Sequence, residues 1–208
     1  METHADYRKL FDYFKSFPGI GKRQAERFVY HILTKDSNWI ASFVREVEQS
    51  RKYVHECVDC FRIFKNTNTS ETLCERCRSG QLDRTLLAVV EKNIDAENFI
   101  EKTKFPGLVF VLGGVFPVIE KKVRNKVRLE ELINFVKKEI FQEIIICTSL
   151  TNDGIFTGSV IKQKIKELEK QNLKITTLGR GFSTGTELEY ADTDTLLNAL
   201  KNRTENLF

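Results

Sequence analysis

Apolar side chains recur at helical spacing through roughly the first 50 residues. Leu10, Phe11, Phe14 and Phe17 form one apolar face; Ala25, Phe28, Val29 and Ile32 form a second after a Pro-Gly break; Ile40, Phe43, Val44 and Val47 form a third. Three helices are predicted there. Between residues 53 and 80 the periodicity lapses into Cys, Asn, Thr and Ser, the composition of a small knuckle held by something other than a core, which points to a metal. Farther on, short apolar runs at 86–90, 108–112, 144–147 and 173–178 alternate with helical stretches near 96–103, 129–138 and 157–170, the last with Ile161, Ile165 and Leu168 inward. Strand following helix in this way predicts βα units and a mainly parallel sheet covered on both faces, with ligand chemistry gathered at the carboxyl ends of the strands. Residues 179–185 are glycine-rich, and a last helix is predicted over 194–203. The expected fold class is mixed, α+β overall and α/β in its strand-rich part. Four modules follow: a helical 1–52, a four-cysteine knuckle 53–80, a parallel βα domain 81–179 and a tail 180–208 carrying an acidic motif and a helix.

Composition narrows the function classes. With 208 residues, 41% hydrophobic and 30% charged, the chain is long enough to bury a core and too short for a large multidomain enzyme. No apolar run approaches the roughly 20 residues of a membrane span, and the first residues mix charges with aromatics, unlike a signal peptide, so a cytoplasmic protein with no membrane partner is expected. The net charge of +4 permits nucleic-acid binding without requiring it. Its distribution says more. Over residues 7–35, Arg8, Lys9, Lys15, Lys22, Arg23, Arg27 and Lys35 face only Asp12 and Glu26, a local charge of +5 (seven minus two). A second basic run, Lys121, Lys122, Arg124, Lys126 and Arg128, is expected to be a solvated surface.

Two cysteine pairs, Cys57-x-x-Cys60 and Cys74-x-x-Cys77, are separated by thirteen residues. Each pair offers two thiolates from one tight turn, and two such turns complete a closed tetrahedral shell for Zn²⁺, a structural site with no open position. The alternative, two redox pairs, fits less well in a stretch too polar to pack alone. Arg62 and Lys65, between the pairs, are expected in a solvated loop, and Cys147, alone at the end of an apolar strand, as a small core residue.

Residues 17–28 read Phe-Pro-Gly-Ile-Gly-Lys-Arg-Gln-Ala-Glu-Arg-Phe. Glycines on both sides of Ile20 let the backbone turn sharply between two helices, so that the amides opening the second can face a phosphate with the helix dipole behind them. Lys22, Arg23 and Arg27 fall on the first turns of that helix. This is a helix-hairpin-helix pattern, which binds the nucleic-acid backbone rather than the bases.

Glu91 follows the buried run 86–90, with Asp95 a turn later; a carboxylate there is where magnesium-assisted phosphoryl chemistry places a metal ligand. A second acidic pair is missing after 144–147, where only Asp153 is present, and no phosphate-cradling G-x-x-x-x-G-K-[ST] occurs. In the tail, Asp192 or Asp194 is expected to cap the last helix.

The order of these motifs, hairpin, four-cysteine knuckle, Val89-Val90-Glu91 with Asp95, Val111-Leu112-Gly113-Gly114 and the closing Leu188-Glu189-Tyr190-x-Asp192, resembles the RecR family of bacterial recombination mediators over almost the whole chain. The resemblance implies a Toprim-like domain and a DNA-repair clamp without catalytic activity. Such a clamp assembles as a dimer or tetramer ring on single-stranded, duplex or gapped DNA. It works with RecO and, in many bacteria, RecF to load RecA onto DNA coated by SSB. By position, the family's hairpin cations match Arg23 and Arg27, its zinc ligands the four cysteines, and its Toprim carboxylate and partner-contacting acidic region Glu91 and Asp95. Two other functions compete with the clamp: a magnesium-dependent Toprim nuclease or primase-like phosphoryl transferase using Glu91, Asp95 and Asp153, and a protein adaptor in which zinc and sheet are scaffold only.

Overall fold

The structure, a computed structural model, describes residues 7–66, 71–119, 127–179, 181–182 and 185–203. The chain divides into two compact units, Met1–Val54 and His55–Phe208.

In the first unit, α1 (Arg8–Lys15) and α2 (Lys22–Leu33) pack as a helical hairpin, and α3 (Ser37–Lys52) follows. Phe14 is the hinge of the packing: its ring lies 5.5 Å from Phe28 and 5.7 Å, edge-on, from Phe17. Among the described residues of this unit only Ala25 and Val29 are buried. Asp36 starts α3 by accepting the amide of Trp39 at 2.9 Å. The third apolar stripe is where expected on α3, yet it is not a core face: Phe43, Val44 and Val47 are 43%, 47% and 54% exposed.

In the second unit, β1 (Val54–Glu56) and β2 (Ile63–Lys65) form a two-stranded ribbon, followed by the one-turn helix α4 (Glu75–Arg78). A four-stranded parallel sheet then forms from β3 (Asp83–Val90), β4 (Gly107–Val111), β5 (Glu143–Cys147) and β6 (Lys174–Thr177) in the order β4-β3-β5-β6. Between them run α5 (Asn93–Thr103), α6 (Leu129–Lys138) and α7 (Asn152–Lys166).

Alternation along β3 and β4 sorts the core onto two faces. Leu87, Val89, Leu108 and Phe110 face α6 and α7 with Leu132, Phe135, Ile161 and Ile165, while Ala88, Val90, Val109 and Val111 face α5 with Ala96 and Phe105. Both faces are covered, which is why these strands read as continuous apolar runs. A 3-10 turn (Leu188–Tyr190) and α8 (Thr193–Lys201) close the described chain, and Asp192, not Asp194, caps α8 by accepting the Thr195 amide at 2.9 Å.

One helix is displaced from its predicted bounds: α7 begins at Asn152 rather than 157 and ends at Lys166 rather than 170. Thr151 caps it, accepting the Gly154 amide at 3.1 Å, and the polar first turn of Asn, Asp and Gly, all turn formers, carries no apolar period to mark a helix.

Candidate nucleic-acid interface and metal centre

The loop between α1 and α2 turns at Gly19, whose φ of +76° is the left-handed conformation that glycine adopts at no steric cost. Gly21 then precedes α2 in extended conformation with no side chain capping the helix. A Cβ at Gly19 or Gly21 would meet nothing within 4 Å, so the surface over the turn is open to an approaching group. The Ala25 amide closes the first helical bond, to Gly21 O at 3.0 Å, and the amides of Lys22, Arg23 and Gln24 have no acceptor among the described residues. Lys22, Arg23 and Arg27 are exposed, and none is in an ion pair among the described residues. Arg23 and Arg27, four residues apart, share a face of α2 in its first two turns. Unpaired donors, a helix dipole and exposed cations at one helix start make an anion-binding surface suited to phosphates. The second basic run falls outside the described residues except for Arg128, which pairs with Glu56 at 2.5 Å and lies 4.8 Å from the centre of the Phe61 ring; this cation is held in the fold.

The four cysteines of the knuckle converge. Cys57, Cys60, Cys74 and Cys77 are buried, and their sulfurs all lie within 4.8 Å of one another. Cys60 and Cys74 Sγ are 3.6 Å apart, close to the edge of about 3.8 Å expected for a tetrahedron with Zn–S near 2.3 Å. The Cys74 amide donates to Cys57 Sγ at 3.4 Å, a bond that favours thiolate. Without a cation, contacts among the thiols pull them apart: Cys60 pushes Cys57 down, while Cys57 pushes Cys60 and Cys77 up. A divalent metal replaces that shared-proton arrangement with four equivalent thiolates. Among the described residues this is the one group of three or more such side chains placed to hold a metal ion.

The knuckle is fastened to the sheet. The Val111 amide donates to Cys60 O at 2.9 Å, Ile63 N to Asn93 Oδ1 at 2.7 Å, Arg84 Nη1 to Cys77 O at 3.0 Å, and Arg76 Nη2 to both Phe105 O and Gly107 O at 2.6 Å. Arg62, expected in a solvated loop, is instead mostly buried: its Nη2 pairs with Glu97 on α5 at 2.6 Å, because the hairpin β1-β2 lies against that helix. Lys65 is at the exposed end of β2. None of these fastenings was marked in the sequence, since each joins residues far apart along the chain. Arg76 alone carried a local signal, a cation inside a cysteine pair.

At the carboxyl ends of β3 and β5, where the strand order reverses, a cleft is lined by Glu91, Asp95, Phe99, Cys147, Thr148 and Ser149. Glu91 is only 8% exposed; its Oε1 accepts the Ser149 amide at 2.6 Å, tying the end of β3 to the turn after β5. Asp95 Oδ2 accepts the Lys92 amide at 3.0 Å and caps α5. Asp153 Oδ1 accepts the Val118 amide at 2.9 Å. All three carboxylates thus accept backbone amides, Glu91 and Asp95 at this cleft and Asp153 outside its lining. Thr157, which sequence reading missed, accepts from Phe116 N at 2.8 Å and donates to Asp153 O at 2.7 Å, pinning the segment after β4 to α7. Cys147 is partly buried at this cleft, and burial pushes its thiol up to about 12. Among the described residues no helix is long and apolar enough to cross a membrane.

Residues 85–179 match the Toprim domain family, and residues 183–204 match the RecR C-terminal family. The recombination protein RecR of Latilactobacillus sakei is 31% identical over 205 residues, 99% of this chain and 100% of that protein. The RecR of Bacteroides thetaiotaomicron is 33% identical over 191 residues, 92% of this chain and 89% of its own length, and that of Legionella pneumophila (strain Philadelphia 1) is 30% identical over 195 residues, 94% of each. A parallel βα sheet in the matched region, a closed four-cysteine cage before it and likeness over nearly every residue converge on one conclusion: the chain belongs to the RecR family of recombination proteins.

Proposed function

We propose that this chain is a non-catalytic DNA-binding clamp of recombinational repair, gripping the phosphate backbone through its hairpin and acting with RecO, and RecF where present, to load RecA on SSB-coated single strands. The observation that carries the reading is the start of α2, where three amides without an acceptor among the described residues open the helix that carries exposed Lys22, Arg23 and Arg27. The four-cysteine cage holds zinc, whose chemistry there is structural: with four thiolates bound it has no position for water or substrate, and it fixes the two turns of the knuckle. The exposed apolar stripe of α3 supports self-association into a dimer or tetramer ring. Glu91 and Asp95 serve as the Toprim surface toward a partner protein. That Glu91, Asp95 and Asp153 do not gather into one group of ligands among the described residues argues for the clamp over magnesium-dependent phosphoryl transfer.

Fluorescence anisotropy of labelled single-stranded, duplex and gapped DNA over a salt series tests the reading, with the Arg23→Ala/Arg27→Ala protein alongside. Wild-type affinity falls steeply with salt, and the double variant binds all three DNAs more weakly, with a log–log salt slope shallower by about two. Unchanged binding in the variant removes the hairpin from the interface. No binding by the wild type makes the chain an adaptor, and Mg²⁺-dependent nicking of plasmid abolished by Glu91→Ala makes it an enzyme.

A further inference from the structure

Arg76 is a cation without an anion of its own. It sits on α4 between Cys74 and Cys77, its Nη2 donates only to neutral carbonyls at Phe105 and Gly107, and no carboxylate among the described residues pairs with it. Its Nε is buried with no acceptor. Arg62, two residues past Cys60, has the same orphaned Nε, although its Nη2 reaches Glu97. Both side chains line one cleft together with Cys74.

A guanidinium withdrawn from water beside another guanidinium is unfavourable unless negative charge faces it. A divalent ion bound by four thiolates leaves a centre of about two negative charges, itself buried here and in need of compensation. The two problems answer each other: two cations of fixed position stand next to a dianionic cage.

We propose that Arg76, with Arg62, is the counter-charge of the metal–thiolate centre and slows loss of the metal. The inference rests on the four-thiolate reading above and deepens it. Outer partners of a metal site tune its affinity as well as its shape, and here the tuning is by charge, with the carbonyls of Phe105 and Gly107 fixing where the charge stands. Glu97 offsets part of the charge of Arg62, so Arg76 carries the larger share.

The test uses the full chain. Metal content of the wild type is measured first, and transfer of metal to a chromogenic chelator is then timed for wild type, Arg76→Lys, Arg76→Gln, Arg62→Gln and, as a control, Arg84→Gln. The control removes a fastening to Cys77 O from a residue that already has Glu139 as its anion. Arg76→Gln loses the charge and, its amide ending where arginine has Nε, also the reach to the two carbonyls, and releases metal roughly 10-fold faster. Arg76→Lys keeps the charge and stays within about twofold of wild type, as does Arg84→Gln, while Arg62→Gln falls between. Wild-type release from Arg76→Gln overturns the proposal. So does release from Arg76→Lys as fast as from Arg76→Gln, which makes the role one of carbonyl bonding. Should Arg76→Gln fail to fold by far-UV circular dichroism, Arg62→Gln decides: faster release supports the counter-charge and a wild-type rate overturns it. A wild type with no metal overturns the metal reading itself, whereas a metal-loaded wild type with indifferent variants overturns only the counter-charge.

Discussion

Phe61 holds a backbone that phenylalanine rarely adopts, with φ of 59°, immediately after the second cysteine of the first pair. A left-handed residue costs about 1–2 kcal/mol. The ring offsets that cost: it meets Phe110 edge-on at 5.5 Å in the core of the sheet and carries Arg128 on its face. Phe61→Gly relieves the backbone while losing the ring, and Phe61→Ala loses the ring and keeps the strain. Chemical denaturation should therefore rank wild type above glycine above alanine, with the alanine variant about 2–3 kcal/mol below wild type, less than for a fully buried phenylalanine. Alanine at or above glycine would mean that the turn is unstrained. The cysteines beside Phe61 were legible because ligand spacing is local, whereas its ring contacts join positions distant in the chain and leave no local mark. Cys147 shows a second residue-scale effect. Its thiol, raised to about 12 by burial, stays protonated where an ordinary cysteine near 8.5 is largely thiolate. Iodoacetamide at pH 9 should label Cys147 slowly in the folded protein and quickly in urea, as read by mass spectrometry; equal rates would contradict the burial.

Along an element, a residue's usual propensity can reverse its sign. Gly154 lies in the first turn of α7, and alanine is the better helix former by about 1 kcal/mol. A Cβ there, however, would stand 2.3 Å from Ser149 O and 2.4 Å from Ser149 Oγ. Ser149 is the residue whose amide holds Glu91, so the collision would push apart the turn that ties β3 to β5. Gly154→Ala should lower the melting temperature despite its helix propensity; an unchanged or higher value would show that the turn yields freely. The same glycine explains the missed helix start, because a close approach of backbone to backbone is invisible to periodicity. α8, by contrast, was legible to within two residues at either end, with its cap narrowed to Asp192 or Asp194. Asp192 is held below the usual carboxylate range, first by the Thr195 hydroxyl and then by its amide. A depressed carboxylate stabilises above its unfolded pKa and loses that contribution as pH falls through the folded value. Helicity of the tail should therefore weaken below about pH 4 in the wild type and be insensitive to pH there in Asp192→Asn, which caps without titrating.

For the whole molecule, the question is whether a metal held by the four cysteines would fix only the knuckle or also the sheet. Division by sequence texture sets 53–80 apart from 81–179, since the polar cysteine-rich stretch and the apolar strands look like different materials. In the folded chain His55–Phe208 is one compact unit, and the bonds that make it so begin at residues beside the sulfurs: Cys60 O to the Val111 amide, Cys77 O to Arg84, Arg76 to the carbonyls on either side of Pro106. Those carbonyls open β4, an edge strand of the sheet, where Gly107 lies so close to Leu86 that a Cβ would stand 2.5 Å from its carbonyl oxygen. Such packing leaves little room for the knuckle to loosen alone. Removing the metal with a strong chelator should therefore raise amide exchange in 55–78 and also in 105–112, including Val111, while the amides of α2 in the separate unit Met1–Val54 keep their protection. Deprotection confined to 55–78 would mean that the knuckle is an independent finger resting on the sheet. Spread into β4 would mean that the cage is the end of the sheet's own core. In that case chelation also loosens the cleft at Glu91, because the strand that loosens is the neighbour of β3, whose end leads directly into Glu91.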